Sequence, residues 1–378
     1  MTPLRRLLNR RRVCRQLSAF MMGLALFLCA HAVAEACMWD RDTLAEEQRG
    51  LPEITAVIVG RYERHTPEFL EHRLRTAQAA LPKAGPETAK ALLDDIGVAY
   101  DRLDRQDDAI AAMQRKIERY GVDYTTAANL GTFYAHSGNL AKADAWISRA
   151  VKINPNAHFG REWVQLHAIR YFRHRTPGGE DAGFWGPKLR PDGERRSAMG
   201  GSPERLAEML KEAGLPANAL EGVAGMIRMG DRESPELYAA LGELLAIRGD
   251  SSLAALAYWR AMEAGGGAHP QYVEWQKAAD QALFSTQGRI RRSDYETQRE
   301  HARRWVAAYQ ARERELLAAG SDAEDEAEYA AFYKKWGRPQ VPYNPPTVVE
   351  RFWPYALLLF LPIGWRLFRV SRRRTGFP

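Results

Sequence analysis

The sequence predicts an all-α fold: a solenoid of repeated helical hairpins with an N-terminal signal peptide and a C-terminal single transmembrane helix. Three observations lead to this prediction. Apolar and small residues recur with one period over residues 90–157. A basic and then apolar segment begins the chain, and a second apolar segment followed by arginines ends it. Helical spacing of apolar residues governs most of the sequence between these two segments.

The period of the central segment is 34 residues, and it relates three pairs of equal residues: Gly97 with Gly131, Tyr100 with Tyr134, and Ala109 with Ala143. Small residues allow two helices to approach closely, and an aromatic ring fills the space beside them. Ser137, Gly138 and Asn139 provide turn chemistry between the two helices of the second copy. Lys116 departs from the pattern, because the small residue Ala150 stands at the equivalent position.

This pattern resembles the tetratricopeptide repeat, in which pairs of antiparallel helices stack and bury each other's apolar faces. Residues 90–157 are identified as two tandem repeats, and residues 235–268, which begin at Pro235, as a third. Gly242 lies 111 residues beyond Gly131. That distance is not a multiple of the period, which indicates an insertion between the second and third repeats.

The resemblance also implies a binding surface, since this family binds protein segments on the concave face formed by the first helix of each repeat. The corresponding positions in this chain are Asp94, Val98, Asp101, Arg102, Thr125, Ala128, Thr132, Ala135, His136, Glu236, Ala239, Glu243, Ala246 and Ile247. Family members that hold a C-terminal carboxylate use Lys, Arg and Asn at such positions, whereas this chain has Asp94 and Val98. We call these positions the predicted groove. Their mixed, mildly acidic surface predicts a protein or peptide partner.

The formal charge of +7 is confined to the two ends. Residues 1–36 carry +5 and residues 351–378 carry +6, which leaves −4 for residues 37–350. A basic face on the body is therefore not expected, and a nucleic-acid partner is disfavoured.

Residues 1–36 have the form of a secretory signal, with a basic N-terminal part, an apolar part and an A-x-A cleavage site that ends at Ala36. The arginines also suggest a twin-arginine signal, which the following residues fit poorly. Of the three cysteines only Cys37 then remains, so an intrachain disulfide is excluded. Lipidation of Cys37, an exposed thiol and an intermolecular disulfide all stay open.

Residues 351–370 are long and apolar enough for one transmembrane helix, and the arginines of residues 371–378 predict a cytoplasmic tail. A buried or interfacial hairpin broken by Pro354 and Pro362 is the alternative. The proline-rich residues 337–350 predict a stalk. The two ends together predict a single-pass protein of the cell inner membrane with its body on the periplasmic, extracytoplasmic side.

The remaining segments are predicted to be helical, apart from one insertion. Residues 37–89 form an N-terminal helical cap, including helices over 51–64 and 67–81. Residues 158–234 contain a helix, a Gly/Pro-rich insertion at 176–202 and a helical pair. The first helix of the pair begins after Ser202 and ends at Gly214, and the second begins at Pro216. Residues 269–336 form C-terminal helices over 270–284, 294–319 and 323–336. The insertion, with its aromatic residues and arginines, is either a binding element or a tolerated loop.

The sequence contains no motif for catalysis, and we predict no catalytic, cofactor-binding or metal-binding residues and no cofactor. His167 and His174 lack further metal ligands, as do Asp40 and Asp42. The basic residues Arg289, Arg291 and Arg292 are interpreted as a solvated loop. The sequence therefore predicts a membrane-anchored scaffold for protein–protein interaction rather than an enzyme. An envelope-acting hydrolase with its site in the insertion and a purely structural tether are the alternatives.

Overall fold

The structure is a computed structural model that describes residues 53–155, 161–174, 184–185, 201–230, 233–286 and 290–339. All of these belong to the first of the two units into which the chain divides, Met1–Val341. The secondary structure of the described residues is entirely helical, so the predicted all-α class is confirmed. The predicted signal peptide, transmembrane helix and basic tail lie outside the described residues.

The N-terminal part contains a short helix α1 (Ile54–Val59) and a longer helix α2 (Pro67–Ala80). The predicted helix over 51–64 is wrong in extent, because Gly60 adopts the left-handed conformation (φ 75°) and ends α1. Thr66 caps α2 by accepting a hydrogen bond from the Phe69 amide at 3.1 Å, and a proline follows it, as predicted.

Five helices follow: α3 (Pro86–Arg102), α4 (Gln106–Tyr120), α5 (Tyr124–His136), α6 (Leu140–Ile153) and α7 (Arg161–His174). The pairs α3–α4 and α5–α6 pack together as hairpins, one in each predicted repeat. A Cβ atom placed on Gly131 would lie 2.3 Å from Cδ1 of Ile147, which confirms the predicted close approach of α5 and α6. The approach at Gly97 is less close, since a Cβ atom placed there would lie 3.0 Å from Met113 and 3.1 Å from the Phe133 ring.

The next helices are α8 (Pro203–Ala213), α9 (Ala219–Met229), α10 (Pro235–Arg248), α11 (Ser251–Gly265) and α12 (Tyr272–Thr286). Ser202 caps α8 and Gly214 ends it in the left-handed conformation, as predicted. The segment predicted as a third repeat forms the hairpin α10–α11, and Gly242 lies against the ring of Tyr258 there. In α9 the helix begins at Ala219, three residues after the predicted start, Pro216.

Helix α13 (Arg292–Ala319) is the longest described helix and buries Trp305, Tyr309 and Leu316, which are part of its predicted apolar stripe. A single helix over 323–336 was predicted. The structure instead has a 3-10 turn (Glu326–Tyr329) followed by a short helix α14 (Ala330–Trp336).

The described helices close on themselves. Neighbouring helices pack in chain order from α2 to α7, then through α9, α10 and α11 to α1, and α13 packs against both α1 and α2. Phe69 and Leu70 of α2 join the aromatic residues of α13 and α14, including Trp305 and Phe332, in one buried cluster. The N-terminal and C-terminal helices therefore meet, which an open repeat array does not require.

The segment 53–66 runs through the interior of this closed arrangement. Its residues Val57, Ile58 and Tyr62 are almost fully buried. The Tyr62 hydroxyl donates to the backbone carbonyl of Ile227 in α9 at 3.2 Å. The backbone carbonyl of Val59 accepts from Arg299 of α13 at 2.9 Å. This segment therefore links helices from both halves of the chain.

Candidate functional site

Most positions of the predicted groove are buried. The buried members are Asp94, Val98, Asp101, Ala128, Thr132, Ala135, His136, Glu236, Ala239 and Ile247. Arg102, Thr125 and Glu243 are half-buried, and only Ala246 is exposed. The expected open concave surface is thus an interior surface in this structure, because neighbouring helices cover these side chains. We call the buried side that α3 and α5 share the inner face.

A buried polar network joins the two predicted repeats. The ammonium group of Lys116 donates to both carboxylate oxygens of Asp94, at 2.8 and 2.7 Å, and to the Thr125 hydroxyl at 2.8 Å. The side-chain amide of Asn129 donates to the same carboxylate at 3.2 Å. Burial raises the pKa of Asp94 to about 6, although the charge and hydrogen bonds of Lys116 oppose this. Asp94 and Thr125 are therefore brought together, as members of one structural network.

Lys116 was the one residue of the first repeat that did not fit the family's pattern. Its side chain is completely buried, and its charge is compensated by Asp94 and Asp123. A buried lysine requires such a partner, since an uncompensated buried charge costs several kcal/mol (roughly 3–5 when a partner is removed). Lys116 can therefore replace the small residue of the pattern because Asp94 neutralises its charge, and Asp94 can be buried because Lys116 is its partner.

A second buried pair links α3 with α5. Nδ1 of His136 lies 2.6 Å from Oδ2 of Asp101, and both side chains are essentially inaccessible to solvent. An oriented histidine of this kind is also found beside catalytic nucleophiles. Within the described residues, Nε2 of His136 is buried and has no hydrogen-bond partner. The two side chains therefore hold α3 against α5 as a buried polar pair.

The polar line continues onto α7. The side-chain amide of Gln165 donates to the hydroxyl of Thr132 at 3.1 Å, and the Tyr124 hydroxyl donates to the carboxylate of Glu162. Gln165 and Glu162 are buried. Neither was assigned to the predicted groove, although α7 was predicted as a helix. The inner face thus extends over three consecutive inner helices, α3, α5 and α7.

Arg73 and Asp95 form a further buried ion pair, at 3.2 Å, between α2 and α3. Neither residue of this pair was predicted as part of a site. The signal that could have found it is spacing: Arg73 and Asp95 are 22 residues apart, as are Asp94 and Lys116 on the next helix pair. Opposite charges at one separation across successive helix pairs indicate partners on adjacent helices.

The third predicted repeat contributes fewer polar groups. The carboxylate of Glu236 accepts from the Ser234 hydroxyl at 3.3 Å, and His269 lies 3.3 Å from its other oxygen. The ring of His269 stacks on Trp275 with a centroid separation of 4.3 Å. Glu236 is therefore held by the ends of its own hairpin and does not join the network of α3 and α5.

Four residues of the predicted insertion are described: Gly201 and Ser202 at its end, and Phe184 and Trp185 within it, which are both buried. The indole of Trp185 donates to the carbonyl of Ala240 at 3.0 Å, and His167 lies 2.6 Å from the carbonyl of Phe184. Burial lowers the pKa of His167 below its usual value, so the ring is neutral at neutral pH. His167 thus has a packing role against the insertion.

The described residues contain no group of three or more His, Cys, Asp or Glu side chains arranged to hold a metal ion. Cys37, Asp40, Asp42 and Arg289 lie outside this part of the chain. Arg291 and Arg292 are exposed, but the predicted loop is wrong for Arg292, which is the first residue of α13. Its guanidinium lies over the ring of Trp259.

A comparison with protein-family models gives no match, and a comparison with curated proteins gives no significant match.

None of the helices in the described ranges is long and apolar enough to cross a membrane, and the predicted span at 351–370 is not among them.

Among the described residues, an open hollow lies where α2 meets α13. It has a volume of about 370 Å³ and is lined by Glu68, His72, Arg75, Arg314, Leu317 and Ala318. Arg314 donates to Glu68 across it at 3.2 Å, and both side chains are about half exposed. The hollow marks the seam at which the circuit closes, and nothing in the sequence indicated it.

Proposed function

We propose that this protein is a membrane-anchored, extracytoplasmic scaffold of the tetratricopeptide-repeat type that binds a polypeptide segment in the bacterial cell envelope. The observation that supports this proposal is the line of polar side chains along the inner faces of α3, α5 and α7. Repeat packing accounts for the small residues of these helices, but it does not call for polar ones.

The chemistry of this line suits a polypeptide. An extended chain brings an N–H and a C=O group at every residue, and each needs a partner when it leaves water. Asn129, Thr132 and Gln165 can both donate and accept hydrogen bonds. The neighbouring acidic residues Asp94 and Asp95 are compensated by buried cations. A surface with little uncompensated charge favours a peptide backbone over a polyanion.

The membrane anchor in this proposal comes from the sequence of the two ends. Truncation after Pro346 should release the protein from membranes, because residues 351–370 would then be missing. Fractionation of cells that produce the full and truncated chains tests this, and membrane association of the truncated chain would contradict the anchor.

The binding function is tested by purification from chemically crosslinked cells. The native chain is compared with a variant altered at Asp101, Thr132 and Glu243, and with a control altered at Gln114, which is exposed on the outer helix α4. We expect the inner-face variant, and not the control, to lose one specific partner. Thermal denaturation must show that both variants remain folded. Retention of every partner by a folded inner-face variant would refute the proposed surface.

A further inference from the structure

Three arginines converge on the carboxylate of Glu233. Oε1 of Glu233 lies within 3.8 Å of an Arg64 guanidinium nitrogen and 3.6 Å of an Arg299 nitrogen, and it also accepts from Arg260. These arginines come from the interior segment 53–66, from α13 and from α11. None of them lies at a position of the predicted groove, so this arrangement is separate from it.

A second carboxylate, Glu263, completes the cluster. It accepts from Arg299 at 3.1 Å, from Arg303 at 2.6 Å and from the Tyr295 hydroxyl. Burial raises its pKa, but these hydrogen bonds and the arginine charges outweigh that effect and lower the pKa below its usual value. Glu263 is therefore ionised and fixed on a helix. The four arginines face two carboxylates, so the cluster keeps an excess of positive charge even with Glu233 in place.

The floor of the cluster contains a buried hydroxyl group. Tyr238 is 1% exposed, and its hydroxyl has no hydrogen-bond partner among the described residues. The Arg260 guanidinium lies over the Tyr238 ring at 4.9 Å, and the charges that act on the hydroxyl include those of Arg260, Arg64 and Glu233. A buried donor without a partner beside converging cations is an unused contact for an anionic ligand.

Exposure increases from this floor outward. The side chain of Arg260 is 1% exposed, that of Arg299 12% and that of Glu233 37%. Glu233 lies in the connection between α9 and α10 and not within a helix. Displacing its carboxylate from the arginines therefore breaks no hydrogen bond within a helix.

We propose that Arg64, Arg260 and Arg299 form a carboxylate-binding site that the chain's own Glu233 fills in this structure, and that an acidic side chain of a bound polypeptide takes the place of Glu233. The ligand class follows from the occupant, since a carboxylate is the group that these arginines hold here. The Tyr238 hydroxyl would donate to the second oxygen of the ligand. This inference rests on the proposed function, because it assigns a charge preference to the polypeptide partner.

The test measures binding of an acidic peptide to the full chain purified in a non-ionic detergent. Isothermal titration calorimetry with N-acetylated, C-amidated hexaglutamate compares the native protein with Glu233→Gln. This variant keeps the size of the side chain and removes the competing charge. We expect Glu233→Gln to bind hexaglutamate at least about tenfold more tightly than the native protein does. Equal affinity would overturn the proposal.

Two further arms identify the ligand chemistry. Hexaglutamine, which has the same length without charge, should not bind to Glu233→Gln, and binding as tight as that of hexaglutamate would overturn the proposal. Inorganic phosphate should bind more weakly than hexaglutamate. Tighter binding of phosphate would overturn the assignment to carboxylate.

The arginines are tested in the Glu233→Gln background. Adding Arg299→Gln should return the affinity for hexaglutamate at least to the native level. Arg64→Gln should have the same effect. Because Arg64 lies outside the helices, this variant replaces Arg299→Gln in the test if Arg299→Gln does not fold. Tight binding in a folded double variant would overturn the site. The two proposals can fail separately. If the inner-face variant loses its envelope partner but Glu233→Gln does not bind hexaglutamate, this site is refuted and the proposed function stands.

Discussion

Replacement of Gly131 by alanine tests how closely α5 and α6 approach. The added Cβ atom would lie 2.3 Å from Cδ1 and 2.5 Å from Cγ1 of Ile147, and 3.1 Å from its backbone nitrogen. Atoms cannot remain at such distances, so Ile147 or a helix must move. Overpacking of this kind costs about 1–3 kcal/mol. Alanine in place of glycine returns about 1 kcal/mol of helix propensity.

The overlap with Ile147 is severe, which puts the overpacking cost in the upper part of that range, about 2–3 kcal/mol. We therefore expect Gly131→Ala to lower the free energy of unfolding by about 1–2 kcal/mol. Denaturant titration followed by circular dichroism measures this change. Gly97→Ala is the matched control on α3. Its Cβ would meet Met113 at the flexible end of the side chain, at 3.0 Å, and the Phe133 ring at 3.1 Å. The smaller overlap should make Gly97→Ala close to neutral.

A double variant identifies the cause of the loss. Ile147→Ala alone should cost about 2–5 kcal/mol, because it leaves a cavity. In the double variant, Ile147→Ala removes the atoms with which the Cβ of Gly131→Ala would clash. The cost of the double variant should therefore be smaller than the sum of the two single costs by at least about 1 kcal/mol. A Gly131→Ala protein as stable as the native one, or costs that add without coupling, would refute the close approach of α5 and α6.

Three other predictions concern buried polar groups. Lys116→Met should cost about 3–5 kcal/mol in unfolding titrations, because Asp94 loses its buried partner, and a second change, Asp94→Leu, should restore most of the loss. The pKa of Asp94 rises from 3.8 to about 6 on folding. The folded protein therefore binds this proton more tightly than the unfolded chain does. The contribution of Asp94 to stability should accordingly fall as the pH rises from about 4 to about 7. Denaturant titrations at these two pH values measure the free energy of unfolding, and its difference between them should be smaller in Asp94→Asn than in the native protein. Trp185→Phe should cost about 1 kcal/mol through its lost hydrogen bond to Ala240, whereas Trp163→Phe, at a 43% exposed position, should leave the melting temperature unchanged.

The local signals in the sequence placed the helices well. Thr66, Ser202 and Ser234 each precede a proline and each cap the helix that follows. The C-terminal end of α1 was predicted wrongly. The helical pattern over 51–64 continues through Gly60, and only the left-handed backbone of that residue ends the helix. Caps and prolines act within one turn, so one sequence suffices to read them.

The partners of the polar residues were also within reach of the sequence. Asp101 and His136 are 35 residues apart, as are Asp94 and Asn129, and Thr132 and Gln165 are 33 apart. These separations are close to the repeat length of 34 residues. The period that aligned the small residues therefore also aligned polar residues of adjacent inner helices. Four of these residues, Asp94, Asp101, Thr132 and His136, were predicted as a binding surface, whereas in the structure they pair with one another or with residues of adjacent helices.

The closure of the circuit lay beyond these signals. In a repeat array each unit contacts only its neighbours, so contacting residues are a short and regular distance apart along the chain. A sequence pattern can show such distances. The seam depends on contacts such as that between the Thr66 amide and Glu313, at 2.7 Å and 247 residues apart, and between Gln310 and the Arg64 carbonyl, 246 residues apart. No periodicity predicts a contact of that kind.

Closure changes what the predicted groove can do. In an open array the first helices face solvent, and a ligand binds them directly. Here Glu313 is fully buried at the seam, where both of its oxygens are used, by His65 at 2.5 Å and by the Thr66 amide. A polypeptide that binds the inner face of α3 and α5 must therefore enter at an end of the circuit, or after α13 separates from α2. Because separation would expose the aromatic cluster around Trp305 and leave Glu313 without its partners, entry at an end has the lower cost in free energy.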